Sequence, residues 1–329
     1  GAAPVAALLP RGIFEHEKKI SMTPKSEEEL AQMITGANGP LRIKGGGTRP
    51  IGQCEGDELS TSAMRGISLY EPGARTIVAG AGTPVAEVEK VLAAENQRRA
   101  FEPMDHRALL GSKGEPTLGG MAAANVSGPR RISVGACRDF MLGVRCVDGQ
   151  GNIIKNGGRV MKNVTGYDLV KLMTGSYGTL GVLTEVSLKV LPNVACVGTL
   201  RLHGLTDAQA IQALSAPLGS PFEATGAAHF PKGPSGDPVT MLRIEGFEDS
   251  VKYRAGKLQE LLKPYGEVEI AVDDGAHWKD VRDVTGFAQA EGDVWRISAK
   301  PSEAAELVTR IDAKAVQYDW GGGLIWALT

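Results

Sequence analysis

No apolar run in this chain approaches the roughly 18 residues that a membrane-spanning helix needs. The stretch Ala2–Pro10 is apolar but short, and no basic residue precedes it, so a signal peptide is not expected. Cysteine is scarce, with Cys54, Cys137, Cys146 and Cys196 the only four. None forms a C-x-x-C pair, and no Cys/His spacing fits zinc or an iron–sulfur cluster, so no metal site is expected. The plain expectation is four reduced thiols in a cytoplasmic protein. Any electrons the protein handles must leave through something other than a cluster in this chain. Excess positive charge is lacking too: Lys+Arg 36 against Asp+Glu 38 gives a net charge of −2. That balance argues against general nucleic-acid binding, which needs a large cationic surface. Local basic pairs such as Arg130-Arg131 are still suited to a phosphate.

The 329 residues are enough for two domains of about 100–200 residues each, and 42% hydrophobic content supplies their cores. Residues 1–20 carry little pattern and read as an extension or linker. A first domain is expected over 21–194. A helix over about 26–35 opens with a capping-box pattern, Ser26 and Glu29, and shows Leu30, Met33 and Ile34 on one face. A strand, Leu41–Ile43, runs into Lys44-Gly45-Gly46-Gly47-Thr48. A second, Thr76–Ala79, runs into Gly80-Ala81-Gly82-Thr83. Thr83 is placed to cap, and Pro84 to start, a helix with Val85, Val88 and Leu92 on one face. Phe140–Val147 and Asn152–Lys155 read as a hairpin about Asp148-Gly149, and Leu180–Val190 alternates as a half-buried strand.

Pro192 closes the first half. The second domain, 195–329, has predicted strands near 196–202, 240–246, 267–272, 294–299 and 315–319. A helix over about 250–264 alternates with them. This order suits an antiparallel sheet covered by helices on one face, and the whole chain reads as α+β.

The informative feature is a series of glycine-rich turns. Backbone without Cβ atoms comes close to an anion, and successive N–H groups make a nest for phosphate oxygens. Gly45-Gly46-Gly47-Thr48 follows a strand directly, with the Arg49 charge beside it. A Rossmann fingerprint fails at Gly80-x-Gly82, because Val85 stands at the third glycine and Pro84 intervenes. No P-loop is present. Pro116–Asn125 holds Gly119-Gly120 at the start of a small-residue helix. This region reads either as an anion- and flat-ligand-binding helix start or as tight helix packing.

The order Ile43–Thr48, Gly80–Thr83, Pro116–Gly120, then Gly175-Ser176-Tyr177-Gly178-Thr179-Leu180-Gly181-Val182-Leu183-Thr184-Glu185, resembles the FAD domain of the vanillyl-alcohol-oxidase superfamily. Three further stretches resemble the FAD-binding subunit of bacterial glycolate oxidases. They are Ala124–Arg131, Gly158–Leu169 and Asp319-Trp320-Gly321-Gly322-Gly323-Leu324. The resemblance spans about residues 22–329. It implies a two-subdomain FAD-binding domain followed by an α/β cap with an antiparallel sheet. It places the FAD pyrophosphate on Lys44, Gly45, Gly46, Gly47, Thr48 and Arg49. Gly82, Thr117, Gly119, Gly120, Asn125, Ser127 and Gly128 would line the flavin and its linker. Arg138 would stand beside the same pocket, and Val182 near the adenosine half. Tyr167-Asp168-Leu169 is assigned to packing. His106 reads as a surface or cofactor-edge residue, so the FAD is expected to be non-covalent.

The resemblance implies flavin-dependent oxidation of glycolate, or another 2-hydroxy acid such as D-lactate, with electrons passed to a partner. The implied partners are a larger homologous FAD subunit and an iron–sulfur subunit. Such oxidation needs a cation for the carboxylate and a base for the hydroxyl proton. Arg243, Arg296 and His229 are the candidates, with Tyr253 and Lys300 nearby in kind. The alternative reading is a non-catalytic flavin-binding or assembly subunit. The family pattern continues past Trp-Gly-Gly-Gly with a Pro-Gly-containing segment, so the chain is expected to be C-terminally incomplete.

Overall fold

The computed structural model describes residues 21–52, 55–159, 166–233 and 236–329. The segment 1–20, Cys54 and the Val160–Thr165 part of the family-like stretch lie outside these residues. Two compact units are formed. One holds 21–127 and 135–193, the other 128–134 and 194–329.

The first unit opens with β1 (Ser21–Met22) and α1 (Glu27–Thr35). Ser26 Oγ accepts from Glu29 N at 3.2 Å, as a helix cap should. The Glu29 carboxylate accepts from Lys25 N at 2.7 Å, so the reciprocal bond lands one residue before the predicted box. Next come β2 (Leu41–Lys44) and β3 (Asp57–Ser60), which run parallel with β1 in the order β1-β3-β2. Then follow β4 (Ile67–Glu71), β5 (Thr76–Gly80), α2 (Val85–Ala94) and β6 (Gln97–Arg98). Short helices α3 (Arg107–Leu110) and α4 (Leu118–Ala123) come next. The helix α5 (Arg131–Val134) belongs to the second unit. The first resumes with α6 (Cys137–Phe140), β7 (Met141–Val147), β8 (Ile153–Gly157), α7 (Leu169–Met173), β9 (Val182–Lys189) and β10 (Leu191–Pro192).

Five of these strands form an antiparallel sheet in the order β4-β5-β9-β7-β8. Two sequence expectations change here. β9 is buried on both faces, not half-buried: only Glu185 and Lys189 keep part of their surface. Thr83 does not cap α2. Its hydroxyl accepts from Gly66 N at 2.9 Å, and Pro84 stands at the cap position without a side-chain bond.

A charged clasp docks α1. Glu27 accepts from Arg145 Nε at 2.9 Å, from Arg145 Nη2, and from Thr184 Oγ1 at 2.5 Å. Arg145 lies on β7 and Thr184 on β9, so one carboxylate ties the helix start to two central strands. The Arg145 hydrogen bonds hold the Glu27 carboxyl below its ordinary value, against the opposing effect of burial.

The second unit is built from β11 (Cys196–His203), α8 (Asp207–Leu218), β12 (Gly226–Phe230), β13 (Val239–Gly246) and α9 (Glu248–Leu262). Then follow β14 (Glu269–Asp273), α10 (Trp278–Asp283), β15 (Val294–Ser298), α11 (Ala304–Thr309), β16 (Ala315–Asp319) and β17 (Leu324–Leu328). Its seven strands are all antiparallel, in the order β14-β11-β13-β12-β16-β17-β15. Leu200, Leu202, Leu242 and Ile244 pack against α8 and α9. Helices do not cover one face only. On the other side Val197, Ala228 and Met241 pack against Trp278 and Val281 of α10. The large indole needs space, and a Cβ on Gly226 would lie 2.8 Å from the Trp278 ring.

Replacing Glu27 by alanine should lower unfolding free energy at pH 7 by about 1–3 kcal/mol. A carboxyl depressed in the folded state contributes above its unfolded value and is lost on acidification. The gap between parent and variant, measured by denaturant unfolding, should therefore close below about pH 4.

Candidate functional site

The first glycine turn leaves the end of β2. The N–H groups of Gly45, Gly46, Gly47 and Thr48 donate to no acceptor among the described residues. Gly47 adopts φ +67°, which turns successive amides toward one side. The loop is pressed onto a second backbone. A Cβ on Gly46 would lie 1.5 Å from Glu115 O, and one on Gly114 would lie 1.7 Å from Gly46 O. Ser112 Oγ donates to Thr48 O at 2.8 Å and closes the loop's far end. Lys44 is already engaged, with Nζ donating to Glu58 at 3.0 and 3.1 Å. Burial raises the Glu58 carboxyl, but the bonds from Lys44 and Arg42 outweigh it and hold it low. Arg49 lies over the Tyr177 ring, 5.8 Å from its centroid.

The start of α4 is different. Leu118 N donates to Thr83 O, Gly119 N to Ala81 O and Gly120 N to Thr117 Oγ1. These amides have protein acceptors, so of the two readings left open for this helix start the observed bonds are those of a tight packing joint. Gly82 N likewise donates to Met64 O. A Cβ on Gly45 would stand 2.5 Å from Thr117 Oγ1, so the first turn and the α4 start are neighbours. Beyond α4, Asn125 Oδ1 accepts from Arg138 N and Ser127 Oγ from Cys137 N, both at 3.0 Å. The Arg138 side chain is exposed. Burial pushes the Cys137 thiol up to about 12, which keeps it protonated and unreactive. The turn at Gly175–Tyr177 binds the end of α4 through Gly175 N to Ala122 O and Tyr177 N to Ala123 O. The Val182 side chain points into the core with Leu30, Leu59 and Val147. Asp168 caps α7 through Lys171 N, but Tyr167 is 89% exposed, so its packing assignment fails.

In the second unit the three candidate catalytic groups separate. His229 has no exposed surface. Its Nδ1 lies 2.9 Å from Thr240 Oγ1 and its Nε2 3.3 Å from Asp207 Oδ1, and Tyr318 OH donates to Asp207 Oδ2 at 2.6 Å. The bond to His229 holds the Asp207 carboxyl low against burial. His229 is thus a core residue beneath α8, and its expected place among pocket groups is corrected: no substrate reaches it. Arg243 is 1% exposed, stacked 4.6 Å from the Trp278 centroid, with Nη2 donating to Thr225 O at 2.9 Å. Arg296 is exposed and stands over Trp320 at 5.2 Å and Trp326 at 5.9 Å. Tyr253 is 63% exposed on α9, and Lys300 pairs with Glu303. Gly128 falls in the second unit, where its carbonyl accepts from Trp320 Nε1 at 3.1 Å.

A family described as an FAD binding domain matches residues 19–157. The chain is 37% identical over 306 residues to the glycolate oxidase subunit GlcE of Escherichia coli (strain K12), covering 91% of this chain and 78% of that protein. The chain belongs to the GlcE family of FAD-dependent oxidoreductase subunits. It is also 31% identical over 185 residues to a D-lactate dehydrogenase of Archaeoglobus fulgidus, covering 54% of this chain and 40% of that one. The solved structure of alkyldihydroxyacetonephosphate synthase superposes with a TM-score of 0.69 at 19% identity, over 92% of this chain and 69% of that chain. That likeness shows the fold alone.

The residues present fit an FAD. Four adjacent amides without acceptors among the described residues suit a pyrophosphate, and Ser176 Oγ is buried with no hydrogen-bond partner among those residues. Gly114 and Ser112 were not singled out in the sequence, and Ser176 was named only as part of the Gly175–Glu185 stretch. The signal available for the first was Gly111-Ser112-Lys113-Gly114 lying just ahead of Pro116, a second glycine segment able to meet the first. Among the described residues no helix is long and apolar enough to cross a membrane.

His229→Asn should lower stability by about 1–3 kcal/mol, since it breaks a buried network. FAD content and any substrate response per folded molecule should stay at parent level. A loss of response at unchanged melting temperature would contradict the core role.

Proposed function

We propose that this chain is a non-covalent FAD-carrying subunit of a glycolate oxidase complex, beside a larger homologous flavin subunit and an iron–sulfur subunit. The reaction served is oxidation of glycolate, or another 2-hydroxy acid such as D-lactate, to the 2-oxo acid. The observation that carries the reading is the row of unengaged amides at Gly45–Thr48 in a chain of the GlcE family. When bound, FAD accepts the two electrons leaving the hydroxy carbon and passes them to a partner.

The chain's own residues supply position and charge balance. The Gly45–Thr48 amides hold the pyrophosphate oxygens, and Arg49 adds a cation beside them. Lys44, paired with Glu58, fixes the end of β2. Gly82, Thr117, Gly119 and Gly120 join their strands and helix so closely that a flat ring meets backbone instead of side chains. Asn125, Ser127 and Arg138 border the same wall. Val182 supports it from the core side.

A second reading, in which the hydride is removed on the larger subunit, is favoured by His229 and Arg243. Both are enclosed and held by protein partners. Anaerobic mixing with glycolate or D-lactate separates the two. Bleaching of the flavin band supports turnover on this chain, and a yellow protein that never bleaches supports the second reading. Purified chain should release about one FAD on denaturation. Gly46→Ala should weaken FAD retention by at least about tenfold, because the added Cβ must displace the Glu115 backbone. Gly39→Ala, with nothing within 4 Å of its Cβ, should not. A colourless chain that takes up no added FAD contradicts both readings.

A further inference from the structure

The chain places glycine directly after Asn or Asp at Asn38-Gly39, Asp148-Gly149, Asn156-Gly157 and Asp274-Gly275. In such a pair the glycine nitrogen reaches the side-chain carbonyl carbon of its predecessor, because no Cβ blocks the approach and the backbone turns freely. The reaction is intramolecular, so it depends on whether the fold leaves both groups free to meet.

Three of the pairs are held apart from this chemistry. Asp148 Oδ1 accepts from Gln150 N and Asn152 N at 2.9 Å each, and Oδ2 from Asn152 Nδ2 at 2.9 Å. The Gly275 nitrogen donates to Asp273 Oδ1 at 2.6 Å, while Asp274 Oδ1 accepts from Ala276 N at 3.0 Å. Asn156 is clamped at both ends of its amide. Its Oδ1 accepts from Leu169 N at 3.1 Å, its Nδ2 donates to Tyr167 O at 3.2 Å, and Gly157 pairs with Gly143 in the sheet.

Asn38 differs from all three. It stands between α1 and β2, where the chain is tied on either side. Ala37 N donates to Ile34 O at 3.3 Å, and Pro40 O accepts from Asp57 N at 3.2 Å. Between these ties neither Asn38 nor Gly39 makes a hydrogen bond among the described residues. Both are exposed, and a Cβ on Gly39 would meet nothing within 4 Å.

We propose that Asn38 is a site of spontaneous deamidation through attack by the Gly39 nitrogen. That nitrogen gives its proton to water and bonds to Asn38 Cγ. The Cγ–Nδ2 bond breaks, ammonia leaves, and a five-membered succinimide remains. Water then opens the ring at either carbonyl, leaving aspartate or isoaspartate. No electron is gained or lost. The product adds one negative charge to a chain of net charge −2. Isoaspartate also routes the backbone through the former side chain. The ties at Ala37 and Pro40 confine that change to the loop, so β2 and the Gly45–Thr48 turn keep their place.

The test incubates the full chain in mildly alkaline buffer over days. Digested samples are read by mass spectrometry and by methyl transfer from an isoaspartate-specific carboxyl methyltransferase. In the folded chain the Asn38 peptide should exchange NH for O at least about tenfold faster than the Asn156 peptide, equivalent to about 1.4 kcal/mol of barrier. In urea-unfolded chain the two should react at comparable rates. Gly39→Ala should slow the reaction by about tenfold, and Asn38→Gln should abolish methyl transfer to this peptide. Both substitutions fall in open loop, so both variants should fold. FAD retention by the modified chain should match the parent. An Asn38 that stays intact in the folded chain overturns the proposal, as does an Asn156 that reacts equally fast there or a rate gap that persists in urea. A drop in FAD retention overturns the confinement of the change to the loop.

Discussion

Two backbones in the first unit meet where neither tolerates a side chain. Gly46 lies against Glu115 O, and Gly114 against Gly46 O, at distances a Cβ would close to less than 2 Å. Because the contact is backbone to backbone, the first turn is held without using its own N–H groups. Ser112, donating to Thr48 O, secures the same loop through its carbonyl. The amides from Gly45 to Thr48 therefore stay unengaged in a rigid frame, which is the physical requirement for an anion nest. The rest of the unit serves this arrangement. β2 delivers the loop, Glu58 pairs with both Lys44 and Arg42, and the α4 start uses its own amides to lock onto Ala81 and Thr83.

The second unit shows the opposite use of polar groups. His229, Asp207, Tyr318 and Thr240 satisfy one another beneath α8, and Arg243 rests on Trp278 with Thr225 as acceptor. Buried polar groups left without partners are costly, so such networks specify a core more readily than they perform chemistry. A histidine and an arginine chosen by residue type alone thus part company with the arginine that keeps an exposed face.

Much of the architecture was legible in the sequence. Strand alternation found five of the seven strands of the second sheet, and turn chemistry found the β7–β8 hairpin. β12 was missed because Gly226-Ala227-Ala228 has little strand propensity. Its small residues answer to Trp278, which is distant in sequence. β17 was missed because Leu324–Leu328 is apolar throughout and has no alternation to read. The glycine turns pointed to the right segments, but not to which amides would stay open. Gly119-Gly120 read either as a ligand-binding helix start or as tight packing, and only the structure shows that Ala81 and Thr117 take those N–H groups. Hydrogen-bond bookkeeping of this kind depends on tertiary neighbours that no local pattern encodes.

The distinction between open and occupied amides is directly measurable. Hydrogen–deuterium exchange should be compared for peptides covering Gly45–Thr48 and Leu118–Gly120, with and without FAD. The account predicts fast exchange at Gly45–Thr48 in the FAD-free chain and strong protection when FAD is added. Protection at Leu118–Gly120 should be present in both states. Exchange at Gly45–Thr48 that is already slow without FAD, or that FAD leaves unchanged, would contradict it.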